Sequence, residues 1–410
     1  MDILIKYLSP EPVENLVTAL HYSIGRFLFF GYPEVIEKVY KGVQSFLKKY
    51  CGAKSVSIQE IPENDLQGTL AVIKEVLEEA KKEGCSVYGD LTGARGMLPV
   101  VFGMLEKEYR LPLHMFDIET EKFIPLNKET IPPVSETAAG QNVRVELDRY
   151  IEMRGGIINY KMHKEIKGIN DRETDEQIKK LWELFLKYEE DWPAISGIFQ
   201  KITGNGRQTA AAEQNKTQGT GSSQQTAVSL SMYELRSALR KTPSLTEESF
   251  CGMLKDDEET GLFTDLKISG KSIKFAIINK MICGCLTDAG SILELQVYRV
   301  LRRTAPNSKV GVHLDWDGVI HSVSGLDVLN EIDVISLNGL VPTFISCKLG
   351  RANKTALYEL SAVTNRFGGR YAKKILVTAK GMAKTDLRRA AEMGILVVDK
   401  EMVPYPAPEE

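Results

Sequence analysis

Short apolar runs alternate with amphipathic stretches of helical length through the first 130 residues, and no other feature limits the fold as much. "DILIKYL" (2–8) is strand-like, "PVENLVTALHYS" (12–23) is amphipathic, and "RFLFFGY" (26–32) is again a short apolar strand. "PEVIEKVYKGVQSFLKKY" (33–50) predicts a helix with Pro33 in its first turn. The same rhythm continues through "SVSIQEI" (55–61), "TLAVIKEVLEEAKKEG" (69–84) and "SVYGDLTG" (86–93). Strands separated by helices of this length predict βαβ units and a parallel, Rossmann-like sheet. In such sheets ligands bind beyond the C-terminal ends of the strands.

The alternation stops near residue 145. Residues 172–200 predict helix, with Ile178, Leu181, Trp182 and Phe185 spaced for one buried stripe. The tract 204–227 is rich in Gly, Ser, Gln and Thr, and is expected to be a flexible loop or linker. Short helices leading into "FTDLKISGKSIKFAI" predict a small winged-helix-like connector, one without a basic recognition helix to read DNA. A second α/β unit follows, opening with the helix "AGSILELQVYRVLRRT" (289–304). The expected organisation is a sensor-like unit over 1–145, a helical connector over 146–270 and a C-terminal α/β domain over 271–410.

The net charge of −3 excludes a globally basic nucleic-acid binder but leaves room for a local basic patch. Six scattered cysteines form no zinc-binding set, and free thiols in a reducing compartment are expected. The segment "MDILIKYLSP" starts as a strand and lacks a signal-peptide core. Nor does any apolar run approach the roughly 18 residues that span a bilayer. A cytoplasmic protein with no membrane partner is expected.

The chemistry concentrates in "NEIDVISLNGLVPTFISCK" (330–348). Asn338-Gly339 marks a hairpin turn. Side chains alternate across a strand, so Glu331 and Asp333 share one face of the first strand, and Ser346 and Lys348 one face of the second. If the loop spans 338–341, Asp333 lies opposite Ser346 and Glu331 opposite Lys348; a two-residue loop would shift the pairs but keep Asp333 and Lys348 on the same face. Two readings stand at this point. One is a surface hairpin with a cross-strand salt bridge. The other is a divalent-ion site, with a carboxylate fixed on a rigid strand and a lysine steadying phosphate or water. The apolar flank of Phe344, Ile345 and Cys347 favours the second, because an unpaired ammonium is costly where burial is partial.

"NEIDV…FISCK", preceded by "GSILELQVYRVL", resembles the PD-(D/E)XK nuclease superfamily and, within it, the ancillary nucleases of type III CRISPR systems. The resemblance covers roughly 270–400 and implies a restriction-endonuclease-like α/β domain. It implies Glu294 as the helix acid, Asp333 as principal metal ligand, Lys348 as catalytic lysine and the Cys347 carbonyl as a further ligand. Mn²⁺ or Mg²⁺ would be the cofactor. Ser346 departs from the pattern, which has Asp or Glu there; Glu331 and Glu359 are the candidate substitutes.

In "YGDLTGARGM" (88–97), Thr92, Gly93, Ala94 and Arg95 stand between an apolar strand and the helix "LPVVFGMLEKEY", where backbone N–H groups attract phosphate. Together with "YLSPEPVENL", which carries Ser9 and Pro10, this resembles the signature loops of CARF domains, sensors of cyclic oligoadenylates. The resemblance covers about 1–140 and implies cyclic tetra-adenylate bound across a homodimer near these six residues.

Elsewhere, His313, His321, Asp315 and Asp317 surround "LDWDG" and are expected to be structural. Trp316 and Tyr371 are candidates for base stacking. Lys348, Arg351 and Lys354 form a basic run where a scissile strand would pass, and Arg366, Arg370 and Lys373 follow. The expected function is a cyclic-oligoadenylate-activated, metal-dependent endonuclease. It would cut single-stranded DNA and RNA and nick duplex DNA. The alternatives are a ligand-responsive DNA-binding regulator with an inert nuclease-like domain, and a repair endonuclease needing no second messenger.

Overall fold

The computed structural model describes residues 2–127, 145–161, 171–204, 225–240, 244–320 and 329–402. His321 and most of the tract expected to be a loop at 204–227 lie outside them.

The N-terminal unit follows the expected alternation: β1 (Asp2–Tyr7), α1 (Pro12–His21), β2 (Arg26–Gly31), α2 (Pro33–Tyr50), β3 (Ser55–Glu60), α3 (Leu66–Lys82), β4 (Ser86–Asp90), α4 (Leu98–Tyr109), β5 (Leu113–Asp117) and β6 (Lys122–Pro125). The strands lie in the order β3-β2-β1-β4-β5-β6, parallel except for β6. Prolines sit in the first turns of α1, α2 and α4, where the missing N–H costs nothing. The central strand β1 is buried along nearly its whole length, whereas the edge strand β3 is mostly exposed, as helices on both faces require. From β1 the chain steps outward to β2 and β3, then returns to β4 on the other side. That reversal opens a crevice beyond the C-terminal ends of β1 and β4.

Next come α5 (Leu147–Met153), β7 (Ile157–Ile158), α6 (Arg172–Lys187) and α7 (Trp192–Gly204). The stripe Ile178, Leu181, Trp182 and Phe185 is buried on α6 as its spacing predicts. After them, β8 (Thr226–Ser231), α8 (Met232–Leu239), α9 (Glu247–Thr260), β9 (Phe263–Ile268) and β10 (Ser272–Ile277) complete a winged-helix order with sheet β8-β10-β9. A reciprocal Ser231–Glu234 capping box starts α8. In the recognition-helix position α9 carries Glu247, Glu248, Asp256, Glu258 and Glu259, a composition that repels DNA. The expected boundary at 270/271 falls inside the β9–β10 hairpin, whose antiparallel pairing keeps both strands in the connector. At the other end, β7 pairs with a C-terminal strand.

The C-terminal unit contains α10 (Lys280–Thr287), α11 (Ser291–Leu301), β11 (Ser308–Asp315), β12 (Leu329–Asn338), β13 (Val341–Lys348), α12 (Lys354–Phe367), β14 (Lys373–Thr378), α13 (Lys384–Glu392) and β15 (Ile395–Asp399). Its mixed sheet runs β15-β14-β13-β12-β11-β7; β11, β12 and β13 are antiparallel, and β13, β14 and β15 parallel. The fold class expected from the sequence is the one observed. Among the described residues, no helix is long and apolar enough to cross a membrane.

Three buried apolar clusters organise these layers. One packs β1–β3 and α1–α2 together with α5, β12, β13 and α12, so the first and last sheets share a core. A second fills the outer face of the N-terminal sheet, against α3 and α4. The third joins the winged-helix unit to the other face of the C-terminal sheet. The tip of the β12–β13 hairpin is also tied to the first unit. Leu340 N–H donates to the Glu121 carboxylate at 2.8 Å, and that carboxylate fills the space where Gly339, at φ 58°, would carry a Cβ.

Candidate functional site

The hairpin β12–β13 pairs Asn338 with Val341 and Val334 with Ile345, the register that sets Asp333 opposite Ser346. Backbone pairing between the strands ends at Val334 and Ile345, and the Asp333 side chain takes over. Its Oδ2 accepts the Cys347 N–H at 2.6 Å and the Ser346 hydroxyl at 3.1 Å, while Lys348 Nζ stands 3.9 Å away. The strands therefore part at the position where Asp333 and Lys348 emerge. Both hydrogen bonds fall on one oxygen; Oδ1 accepts none from the described residues.

Asp333, Glu294, Cys347 and Lys348 line one open pocket of about 420 Å³, together with Asp288, Gly290, Glu331 and Arg351. Of the sequence candidates, Ser346 does not line it. Its hydroxyl is buried and spent on holding Asp333, so the residue positions an acid and does not itself reach the pocket. Glu331 reaches the pocket, whereas Glu359 is exposed on α12 and does not. Asp288, overlooked in the sequence, arrives from the turn before α11, where it accepts Gly290 N–H at 3.2 Å and Ser291 Oγ at 2.8 Å. An Asp three residues ahead of a helix start was the available signal.

Burial raises the Asp333 carboxyl above its ordinary range, against the opposing pull of the Cys347 N–H, the Lys348 charge and the Ser346 hydroxyl. The Cys347 thiol is pushed far up by burial and by the charges of Asp333 and Glu294, so it stays protonated and is no thiolate ligand. No group of three or more His, Cys, Asp or Glu side chains among the described residues is placed to hold a metal. The pocket instead offers carboxylates, the unengaged Oδ1 of Asp333 among them, and open volume for solvent ligands. Oxygen donors of that kind are the chemistry a hard divalent cation takes, with solvent completing what two carboxylates leave open. His313 lies 3.9 Å from Glu331 on the neighbouring strand, outside the pocket lining. Asp315 turns inward and accepts the N–H groups of Asp317, Gly318 and Val319, the structural role expected of it.

The second candidate site lies in the N-terminal crevice. The loop after β1 carries Ser9 and Pro10; the loop after β4 carries Thr92, Gly93, Ala94 and Arg95. Thus the two signature loops stand side by side. A buried charge network fixes them from below. Lys6 Nζ, fully buried, lies 2.5 Å from Asp90 Oδ2 and donates to the Glu14 carbonyl and Thr18 Oγ1. Asp90 Oδ1 accepts the Thr92 N–H at 2.8 Å, and Thr92 Oγ1 accepts Phe116 N–H. Burial pushes the Asp90 carboxyl up, but the charges of Lys6 and His114 and the hydrogen bonds outweigh it and leave it below its usual range.

Ser9 and Thr92 are buried and use their hydroxyls inside the protein, while Pro10 and Arg95 are exposed on the rim and Gly93 and Ala94 are half-buried. The Ser9 hydroxyl donates to Glu14, a fully buried carboxylate. From the C-terminal unit, the Tyr371 hydroxyl donates to Glu14 Oε1 at 2.5 Å and Arg370 Nη1 stands 3.4 Å from it. Arg154 pairs with Glu11, which also accepts Arg370 N–H. Arg366 donates to the carbonyls of Arg154, Gly155 and Trp316. Arg370 and Tyr371, expected from the sequence near a nucleic-acid track, therefore face the N-terminal unit, and Arg366 is spent on backbone carbonyls beside α5 and β11. Glu14 gave no sequence signal beyond its place on an amphipathic helix.

No family model matches the sequence, and no curated protein matches it. Among solved structures, the chain is similar to protein VC1899 from Vibrio cholerae, with 16% identity, a TM-score of 0.65, and 98% of this chain and 95% of that one covered. It is also similar to Can2 from Sulfobacillus thermosulfidooxidans in complex with cyclic tetra-adenylate, with 15% identity, a TM-score of 0.60, and 98% and 96% covered. A type III CRISPR defence DNA nuclease activated by cyclic oligoadenylate aligns at 12% identity and a TM-score of 0.48, over 93% of this chain and 46% of that one. The first two alignments run through every unit described above, and this chain shares their fold.

Proposed function

We propose that this protein is a homodimeric nuclease of type III CRISPR defence, switched on by a cyclic oligoadenylate in the N-terminal crevice and cutting nucleic acid at the C-terminal pocket. The observation that carries the reading is the convergence of Asp333, Glu294 and Lys348 on one open pocket. Support for the sensor comes from the two loops meeting at the crevice of a fold shared with a cyclic-tetra-adenylate complex.

Asp333 and Glu294, with the Cys347 carbonyl, are the groups that would hold Mn²⁺ or Mg²⁺. Such an ion supplies Lewis acidity toward a phosphodiester. The chain's own residues do the rest. Ser346 and the Cys347 N–H lock the Asp333 carboxylate in place. Lys348, about two-fifths exposed, projects its ammonium beside that carboxylate, where it orients a water and steadies negative charge developing on the phosphate. Arg351 on the rim offers a planar fork to a neighbouring phosphate. Single-stranded DNA and RNA and nicked duplex DNA are the expected substrates.

Cleavage of supercoiled plasmid and labelled single strands, with Mn²⁺ and with or without cyclic tetra-adenylate, tests this reading. Asp333→Asn and Lys348→Ala should each cut the ligand-stimulated rate by about 10²–10³-fold. Ligand binding should survive in both. Absence of cleavage in every combination would leave a ligand-responsive regulator as the better account. Equal cleavage without the ligand would point to a repair endonuclease.

A further inference from the structure

Glu14 sets a negative charge where the two signature loops should receive one from a ligand. Its carboxylate is fully buried between the loops, and a Cβ added at Gly93 would lie 2.2 Å from Glu14 Oε2. Gly93, at φ 72°, thus brings its backbone directly against that oxygen. Around the carboxylate stand the Ser9 hydroxyl, the Tyr371 hydroxyl at 2.5 Å and the Arg370 guanidinium at 3.4 Å. Two hydroxyl donors, one guanidinium and a glycine backbone are the equipment of a phosphodiester site, drawn here from both ends of the chain. Two anions cannot share it, because like charges at contact in a buried setting repel strongly.

We propose that Glu14 is an internal stand-in for a ligand phosphodiester, and that Arg370 and Tyr371 are ligand-binding residues which an anionic cyclic oligonucleotide takes over from it. The inference rests on the sensor reading above and adds to it residues supplied by the C-terminal unit. The ligand enters by expelling the Glu14 carboxylate. Arg370, half-exposed beside it, then transfers its charge from the glutamate to the phosphate. A ligand that has to displace an internal anion binds more weakly than the same donors would allow, and taking charge off Glu14 removes that competition.

Calorimetric titration of the full-length protein with cyclic tetra-adenylate tests this, for wild type, Glu14→Gln, Arg370→Ala and Arg370→Lys, each first checked for an intact cooperative melt. Glu14→Gln keeps the shape and should bind about tenfold tighter. Arg370→Ala should bind about tenfold weaker, with Arg370→Lys recovering part of the loss. Wild-type binding that either Glu14→Gln or Arg370→Ala leaves unchanged overturns the stand-in while the sensor reading survives. Absence of binding by wild type and Glu14→Gln alike overturns both. Binding by Glu14→Gln where wild type shows none supports the proposal in its strongest form.

Discussion

The crevice and the pocket handle a carboxylate in opposite ways. In the crevice, Asp90 and Glu14 are fully buried and ringed by donors: Lys6, Thr18 and the Thr92 N–H for one, Ser9, Tyr371 and Arg370 for the other. In the pocket, Asp333 has its donors on one oxygen and presents the other to open volume. Its many donors make the first region a closed, self-consistent anchor. Incomplete saturation leaves the second ready to accept a partner that the chain does not supply.

The largest test of this contrast removes the anchor. Lys6→Met leaves Asp90 buried without its ammonium, and the loss should be about 3–5 kcal/mol, read by urea unfolding. A variant as stable as wild type would show that the crevice is not built on that pair.

Asp257 on α9 sharpens the contrast from outside both sites. It is fully buried, with no hydrogen bond to either oxygen, and burial, with the charge of Asp256 adding, raises its pKa well above the usual value. The folded state therefore keeps a proton that the unfolded chain has released. The resulting stabilisation is fully present below the ordinary carboxylate pKa and is lost as pH rises through the raised one. Asp257→Asn should abolish that decline and gain on the order of 1 kcal/mol near neutral pH, measured by denaturation across the pH range. The smallest effect concerns the open side. Arg351→Ala should lower the slope of log affinity against log salt by about 1 in binding titrations with single-stranded DNA. An unchanged slope would take Arg351 off the phosphate path.

What could be read from the sequence follows from the range of the forces involved. Strands and helices of the two α/β units are set by local periodicity, and the Asn338-Gly339 turn marked the hairpin, whose pairing of Asn338 with Val341 then brings Asp333 to Ser346. Asp333, Lys348 and Glu294 were legible because each stands on a regular element whose face is predictable. Asp288 was missed because an acid just ahead of a helix start reads as a local turn residue, and its side chain does hold that turn. Glu14 and its partners were missed for a different reason: Glu14 and Tyr371 are separated by 357 residues, and nothing local announces that they meet. The boundary at 270/271 misled because a hairpin turn with Ser269, Gly270 and Lys271 resembles a linker in composition.

Helix α12 has a place in the molecule that this long-range pairing makes consequential. Its first residues follow Gly350 and Arg351 on the wall of the pocket, and its last turn runs directly into Arg370 and Tyr371 at the crevice. Fourteen helical residues form a rod about 21 Å long. Leu357, Leu360 and Phe367 seat it in the core common to both sheets, so it cannot easily bend. A stiff element anchored in that way ties the wall of the pocket to Arg370 and Tyr371 through one continuous run of chain.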